Sequence, residues 1–226
     1  MATVTEQPEL QTGDRMTAEE FMRIYEQTPE DFKAELIGGI VYVGSPLKRG
    51  HGTMHPALGT VFFAYRGHTP GVECADNTTV LLGEEGVPQP DLYLRILPEY
   101  GGQSRNTPDD YVGGAPELTA EIANSSRAID LHAKRHDYAR YGVLEYLVVC
   151  LREKQIRWFD LRAGQELHPD SDGVLRVQTF PGLWIHIEAL FNHDYAALMA
   201  ALDQGLATPQ HAAFVTQLAA RRAAGS

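Results

Sequence analysis

Long hydrophobic runs are missing from this 226-residue chain. Its apolar stretches, such as residues 146 to 151, are far too short to cross a bilayer. The first twelve residues are polar, without the basic start and apolar stretch of a secretory signal. We therefore expect a cytoplasmic protein with no membrane partner.

Cysteine is scarce, and the two cysteines, Cys74 and Cys150, lie in strand-like apolar contexts. Buried thiols are favoured over a disulfide or a zinc site in such contexts. The sequence also lacks a Gly-x-x-x-x-Gly-Lys loop and a Gly-x-Ser-x-Gly elbow. ATP hydrolysis and serine esterase chemistry therefore have no support.

Positively charged residues are also few. The chain has 19 Lys and Arg but 30 Asp and Glu, which gives a net charge of -11. This imbalance argues against a nucleic-acid substrate, because phosphate backbones are bound chiefly by lysine and arginine. However, a metal site must itself be acidic, and local basic patches occur within acidic chains. The candidate basic patches are Lys48 with Arg49, and the group Arg127, Lys134, Arg135 and Arg140.

The order of predicted elements indicates an α/β or α+β domain with a mixed central sheet and a helical tail. Thr17 begins a capping box, Gly38-Gly39 predicts a hairpin turn, and Pro56 is expected in the first turn of a helix. The predicted helices cover residues 17 to 26, 57 to 65, 126 to 141, 195 to 206 and 210 to 220. The predicted strands cover residues 34 to 37, 40 to 43, 72 to 76, 78 to 82, 91 to 96, 118 to 123, 145 to 151, 156 to 161, 174 to 179 and 184 to 188. Loops are expected at 46 to 52 and, long and mobile, at 98 to 116.

Two carboxylates and one lysine carry the strongest chemical signal. Asp91 stands at the start of one predicted strand, Glu121 lies within another, and Lys134 lies on the helix that follows. Carboxylate oxygens are ligands for Mg²⁺, and a metal beside a phosphate can generate the nucleophile and neutralise developing charge. This set predicts a metal-dependent nuclease in which Lys134 orients water or neutralises the phosphate.

Each of these residues has a structural alternative. Asp91 after Pro90 could shape a turn, and Glu121 could form a buried ion pair with Lys134 that only organises the fold. Lys134 shares a helical stripe with Leu131, Tyr138 and Tyr141, so its ammonium could instead reach water past an apolar stem. Metal binding is favoured, because burying Asp91 and Glu121 without partners would cost free energy. A single bound cation would neutralise both carboxylates.

An ordered series of motifs resembles the Uma family of bacterial restriction endonucleases, a branch of the PD-(D/E)XK nuclease superfamily. The Pro-Asp dipeptide alone is a weak signal, whereas the ordered series is fairly specific. The resemblance covers residues 16 to 192. The matching segments are Glu35-Leu-Ile-x-Gly39-x-Val41, Ser45-Pro46 leading to His51, Pro90-Asp91, Glu121 to Ser126, and the run from Asp130 through Lys134 and Tyr138 to Tyr146.

The resemblance implies a restriction-endonuclease-like core with a mixed central sheet flanked by helices. It also implies that Asp91 and Glu121 bind Mg²⁺ or Mn²⁺ and that Glu35 and His51 occupy further polar positions of the site. The superfamily usually has its lysine two residues after the second acid, where this chain has Ala123, so Lys134 takes that role. Residues 1 to 15 are then a flexible N-terminus, and residues 193 to 226 a helical extension.

Rival interpretations stay open at this stage. Glu35 is ambiguous, and His51 could be a general base or a loop histidine without a role. The pairs His51/His55 and His132/His136 have the four-residue spacing of a zinc site, but neither pair carries the Glu of a His-Glu-x-x-His motif. The substrate of the nuclease would be nucleic acid, with DNA favoured. The competing function is a catalytically silent scaffold with this fold. The net negative charge suits the scaffold better, and it could form a homodimer through an edge strand or the C-terminal helices.

Overall fold

A mixed α/β architecture is present in the computed structural model, which describes residues 9 to 124 and 126 to 225. The first elements are α1 (Ala18–Tyr25), β1 (Ala34–Ile37), β2 (Ile40–Val43), α2 (Arg49–His68), β3 (Val72–Asp76), β4 (Val80–Leu81), β5 (Leu92–Ile96), β6 (Arg105–Asn106), β7 (Val112–Gly113) and β8 (Leu118–Ala123). A π-helix (Ile129–Lys134) follows and runs into α3 (Arg135–Tyr141). The last elements are β9 (Glu145–Cys150), β10 (Gln155–Asp160), β11 (Gln165–Leu167), β12 (Val174–Arg176), β13 (Trp184–His186), α4 (Ile187–Asn192), α5 (Tyr195–Leu206) and α6 (Pro209–Ala224).

The central sheet has six strands in the order β11-β10-β9-β8-β5-β3. Only the β8/β9 pair within it is parallel, so the sheet is mixed, as predicted. One face packs against α2, α4, α5 and α6, and the other against the π-helix and α3. Side chains along a strand point alternately to the two faces. On β8, Ile122 therefore packs in the α2 core, whereas Ala123 packs on the α3 side.

The predicted cap of α1 and the predicted β1/β2 hairpin are confirmed. Thr17 caps α1 by accepting a hydrogen bond from the backbone N–H of Glu20 at 3.2 Å. The β1/β2 hairpin turns at Gly38 and Gly39, which have φ values of 58° and 71°. Glycine reaches these left-handed values without the steric penalty of a side chain, so the double glycine fits the turn.

The predicted loop at 46 to 52 is wrong from Arg49 onward, because α2 already begins there. Pro56 therefore lies inside α2 instead of in its first turn. A proline within a helix removes a hydrogen bond and costs about 3 kcal/mol. Burial of the apolar face of α2, which includes Leu58 and Val61, offsets this cost.

Three further segments differ from the predictions. Residues 98 to 116, expected to be a loop, contain a 3-10 helix (Pro98–Tyr100) and the strands β6 and β7, which join β4 in a small sheet. The helix expected over 126 to 141 begins with π-helical geometry, which no local sequence preference indicates. The strand predicted at 184 to 188 ends at His186, which caps α4, and α4 begins at Ile187.

Both ends of the described chain pack on the domain. Leu10 is buried beside α1 and the β1/β2 hairpin, while residues 1 to 8 of the predicted flexible terminus lie outside the described residues. In α5, Leu198 and Leu202 are buried in the same core as α2. This leucine stripe is therefore covered by the chain's own core and does not form a free dimerisation face.

The edges of the six-stranded sheet are β3 and β11. A homodimer through one of these edges stays a prediction. In the described part of the chain, no helix is long and apolar enough to cross a membrane. Cys74 is half-buried and Cys150 buried, and both are free thiols, as expected.

Leu202→Ala tests whether α5 is an integral part of the core. Because Leu202 is fully buried, its truncation leaves a cavity and should lower the free energy of unfolding by about 2 to 5 kcal/mol. Urea unfolding followed by circular dichroism measures the change. Gln204→Ala, at an exposed position of the same helix, should alter stability by less than about 0.5 kcal/mol. Equal effects of the two substitutions would show that α5 does not contribute to the cooperative core.

Candidate active site

A cleft of about 330 Å³ opens between the β1/β2 hairpin, the start of α2, the end of β8 and the π-helix. All five residues predicted for the site line this cleft: Glu35, His51, Asp91, Glu121 and Lys134. They come from segments distributed over about a hundred residues of sequence. The fold therefore brings the whole predicted set together, whereas their chemical roles stay proposals.

The register of the central sheet explains how the two acids meet. Leu92 of β5 pairs with Ala120 of antiparallel β8, so the next positions outward, Asp91 and Glu121, face each other at the end of the ladder. Asp91 also accepts a hydrogen bond at Oδ2 from the backbone N–H of Ile122, at 2.7 Å. This bond holds the Asp91 carboxylate against β8, so Asp91 does more than shape a turn.

The ammonium of Lys134 lies at the centre of the acidic groups. Its Nζ is 2.8 Å from Glu35 Oε1 and 2.9 Å from Glu121 Oε1. The lysine is only 4% exposed, so its ammonium does not reach past an apolar stem to bulk water. Burial alone would lower the pKa of Lys134, but the carboxylates of Glu121, Glu35 and Asp130 outweigh it and raise the pKa well above its ordinary value. Lys134 is therefore a cation at neutral pH.

Glu121 is buried on the face of β8 that the π-helix covers. Its Oε1 accepts hydrogen bonds from Lys134 Nζ and from the Tyr138 hydroxyl, both at 2.9 Å. No hydrogen bond from the described residues reaches its other oxygen, Oε2. Burial raises the pKa of Glu121 well above the ordinary value, opposed by Lys134 and reinforced by the negative charge of Asp91 and Asp130.

His51 lies on the first turn of α2, where its Nε2 is 3.0 Å from Asp91 Oδ1. The hydrogen bond to Asp91 raises the pKa of His51, although burial opposes the shift. Burial alone would raise the pKa of Asp91. The hydrogen bond and positive charge of His51 outweigh burial, helped by the hydrogen bond from the Ile122 N–H and the charge of Lys134, so the pKa of Asp91 is lowered. His51 therefore holds Asp91 in its ionised form.

Glu35 reaches the cleft from β1 and is half-buried. Its Oε1 accepts one hydrogen bond from the ammonium of Lys134 and another, at 2.7 Å, from the backbone N–H of Gln89. Glu35 thus ties the hairpin to the segment that leads into Asp91. Glu35, whose role the sequence left ambiguous, therefore belongs to the ion cluster around Lys134.

Asp130 is a buried acid of the cleft that was not predicted as a site residue. Its Oδ1 is 4.0 Å from Lys134 Nζ, and its Oδ2 accepts a 2.6 Å hydrogen bond from Ser126. Burial raises the pKa of Asp130 to about 6, against the opposing effects of Lys134 and Ser126. The sequence signal was available, because Asp130 stands four residues before Lys134 and such residues share a helical face.

The first histidine pair does meet an acid in the fold. Ligand atoms of His51, His55 and Asp91 lie within 4.8 Å of one another. However, His55 Nε2 is 2.8 Å from the main-chain oxygen of Asp91, which only accepts hydrogen bonds, so this nitrogen carries the proton and is not a free metal ligand. His132 and His136 are exposed, and among the described residues they belong to no such cluster.

The composition of the cleft fits a hard divalent cation. Four carboxylates line the cleft, those of Glu35, Asp91, Glu121 and Asp130, and the buried ammonium of Lys134 lies between two of them. The raised pKa values of Glu121 and Asp130 reflect the cost of burying this negative charge. Carboxylate oxygens are the preferred ligands of Mg²⁺, and Mn²⁺ accepts the same donors.

Comparisons with known proteins agree with this architecture. The Uma2 family model, described as "Putative restriction endonuclease", matches residues 18 to 188. A crystal structure from Anabaena variabilis ATCC 29413, described as that of "a putative nuclease belonging to DUF820", is similar to this chain with a TM-score of 0.60 and 15% sequence identity. The similarity covers 78% of this chain and 98% of that protein, and it supports the fold. No curated protein matches the chain.

Asp130→Asn should change how stability depends on pH. Because the folded-state pKa of Asp130 is about 6, above its ordinary value of 3.8, the folded protein binds an extra proton between these values. This residue's contribution is therefore present at low pH and is lost as pH rises from about 4 to about 6. In Asp130→Asn, the unfolding free energy should therefore decrease less between these pH values than in the wild type, by up to roughly 3 kcal/mol.

Urea unfolding at a series of pH values, in EDTA, tests this prediction. The asparagine amide oxygen can still accept the hydrogen bond from Ser126, so the local contact is preserved. Asp203→Asn, at an exposed position of α5, controls for the loss of one acidic residue. If the wild-type and Asp130→Asn profiles ran parallel from pH 4 to 6, burial would not raise the Asp130 pKa as described.

Proposed function

The chain belongs to the Uma2 family, and on that premise we propose that it is a metal-dependent nuclease that hydrolyses phosphodiester bonds in nucleic acid. The observation that carries the proposal is the meeting of Asp91, Glu121 and Lys134 in one cleft. A carboxylate pair with an adjacent lysine supplies metal ligands and a fixed positive charge. These are the groups that phosphodiester hydrolysis requires.

Asp91 and Glu121 would hold the metal ion. Asp91 is ionised in the cleft, and Glu121 has one carboxylate oxygen that no hydrogen bond from the described residues occupies. A bound Mg²⁺ or Mn²⁺ would supply Lewis acidity toward the phosphate and lower the pKa of an attacking water. Asp130, on the same cleft, is a further candidate ligand.

Lys134 would act through its charge. Because its pKa is raised, it is protonated at neutral pH and cannot serve as the general base that removes a proton from water. Its ammonium would instead neutralise the negative charge that develops on the phosphate. Glu35 and Tyr138 position Lys134 and Glu121, respectively, through direct hydrogen bonds.

His51 is the best candidate for handling a proton in this cleft. The hydrogen bond to Asp91 raises its pKa toward the range in which imidazole both gives and takes protons near neutral pH. Its Nε2 faces Asp91, whereas its Nδ1 is buried and has no partner among the described residues. His51 would therefore exchange protons only through Nε2, at the side of Asp91.

A catalytically silent scaffold is the second candidate function. The observation in its favour is the Glu121–Lys134 ion pair, which forms without a metal and which would also suit a purely structural role. The net charge of -11 agrees with this candidate as well. Metal binding separates the two, since the nuclease requires it and the scaffold does not. The nuclease proposal includes a cytoplasmic location and a preference for DNA, and the scaffold alternative includes a homodimer.

Cleavage of plasmid and single-stranded DNA in Mg²⁺ or Mn²⁺ tests the nuclease directly. Asp91→Asn and Glu121→Gln preserve side-chain size but remove ligand charge, so each should reduce cleavage by about 100-fold or more. Asp203→Asn should retain full activity, because this residue is exposed on α5. Circular dichroism must show that every variant is folded. Cleavage that persists in both cleft variants would identify a contaminating nuclease and contradict the proposal.

Titration calorimetry with Mn²⁺ and Mg²⁺ distinguishes the nuclease from the scaffold. We expect a binding event in the wild-type protein that Glu121→Gln abolishes, because the neutral amide is a poorer ligand than the carboxylate. Glu99→Gln, at an exposed position, should bind like the wild type. A wild-type protein that binds neither ion would favour the scaffold.

A further inference from the structure

We propose that the cleft takes an unpaired single strand of DNA, held at the rim by Lys33 and Lys48 and packed against Leu47. This inference rests on the nuclease function proposed above and names its substrate class. It derives from the depth of the acidic groups, the distribution of charge between rim and floor, and an exposed apolar side chain at the entrance. None of these features is required for hydrolysis itself.

The reactive groups lie too deep for an undistorted double helix. Glu121 and Lys134 are each only 4% exposed, at the bottom of a cleft of about 330 Å³. Such a volume is at the lower end of the range for small-molecule pockets. Duplex DNA is stiff, with a persistence length of about 50 nm, and pays a deformation energy to push one backbone segment into a recess. A single strand bends freely and can carry a phosphate to the floor.

Charge is separated between the rim and the floor of the cleft. The carboxylates form the floor, whereas the exposed charged residues that line the rim are Lys33 and Lys48. Asn77, also exposed, adds a neutral amide that can donate hydrogen bonds. Lysines at the entrance suit the phosphates that flank the scissile bond, because backbone phosphates are bound chiefly by such cations.

Leu47 provides an apolar contact at the same entrance. It is 71% exposed, the highest value among the large hydrophobic residues of the described chain, and it lines the cleft between Pro46 and Lys48. Proteins that bind single strands stack bases on aromatic side chains beside a positively charged groove. Leucine has no aromatic face, but its exposed apolar surface can pack against a base and leave water. An exposed base, available only in an unpaired strand, would cover Leu47.

The overall charge of the protein favours the same substrate. Duplex DNA carries one negative charge per about 1.7 Å of its axis, whereas one strand carries one per about 3.4 Å. A chain with a net charge of -11 and two lysines at the cleft rim repels the denser polyanion more strongly. An acidic nuclease with a small basic rim is therefore better matched to the less charged, flexible strand.

Fluorescence anisotropy with a labelled DNA oligonucleotide tests the inference, using Asp91→Asn protein so that the probe is not cleaved. The strand alone should bind at least about tenfold more tightly than the same strand annealed to its complement. Adding Leu47→Ser should weaken binding of the strand by about fivefold or more, because it removes the apolar surface that a base would cover. Adding Lys48→Ala should reduce the slope of log affinity against log salt by about 0.7.

Phe63→Ser is the matched control. Phe63 is 63% exposed and lies on α2 about 21 Å along the helix from Arg49, by the rise of 1.5 Å per residue, in a different groove. It should leave the affinity for the strand unchanged. Equal or tighter binding of the duplex, no binding of either DNA, or equal effects of Leu47→Ser and Phe63→Ser would overturn the inference.

Cleavage by the wild-type protein separates this inference from the proposed function. Equal cleavage rates on the strand and the duplex would overturn the single-strand inference and leave the nuclease standing. Cleavage of neither DNA, together with selective binding of the strand that Leu47→Ser weakens, would overturn the nuclease and support the strand-binding cleft. Faster cleavage of the strand, reduced by Leu47→Ser, would support both.

Discussion

The buried ammonium of Lys134 is the interaction on which the rest of the cleft depends. It lies within 2.9 Å of carboxylate oxygens from both Glu35 and Glu121, which belong to the hairpin and to the central sheet. Isolated buried carboxylates would carry a large desolvation penalty, and a shared cation reduces it. One side chain therefore stabilises two walls of the cleft, but a single ammonium does not balance the charge of the four carboxylates that line it. That excess charge is what makes the cleft suitable for a divalent ion.

Much of this arrangement was predictable because local patterns mark its parts. The double glycine at 38 and 39 predicted the hairpin that carries Glu35, and the apolar runs beside Asp91 and around Glu121 predicted the strands that carry them. Antiparallel register then places the two acids opposite each other. The sequence also placed Lys134 on one helical stripe with apolar and aromatic residues. It left open whether the ammonium of Lys134 points to solvent or to the two acids.

Other parts depend on tertiary packing and had no local signal. The start of α2 was predicted too late, because residues 46 to 52 were expected to be a loop and Pro56 was expected in the first turn of the helix. As a result, the contact between His51 and Asp91 could not be derived from spacing. The pKa of Asp130 likewise follows from burial among other acids, which no single segment of sequence encodes.

Assembly of the cleft is coupled to folding of most of the chain. The carboxylate of Asp137 in α3 accepts a hydrogen bond at 2.5 Å from the backbone N–H of Gly38 in the hairpin turn, across 99 residues of sequence. Contacts between such distant residues form only after a large loop has closed, so they are kinetically late. During synthesis, a chain that has not yet reached the π-helix lacks both this tether and Lys134. A nascent or truncated polypeptide would therefore hold no assembled acidic centre.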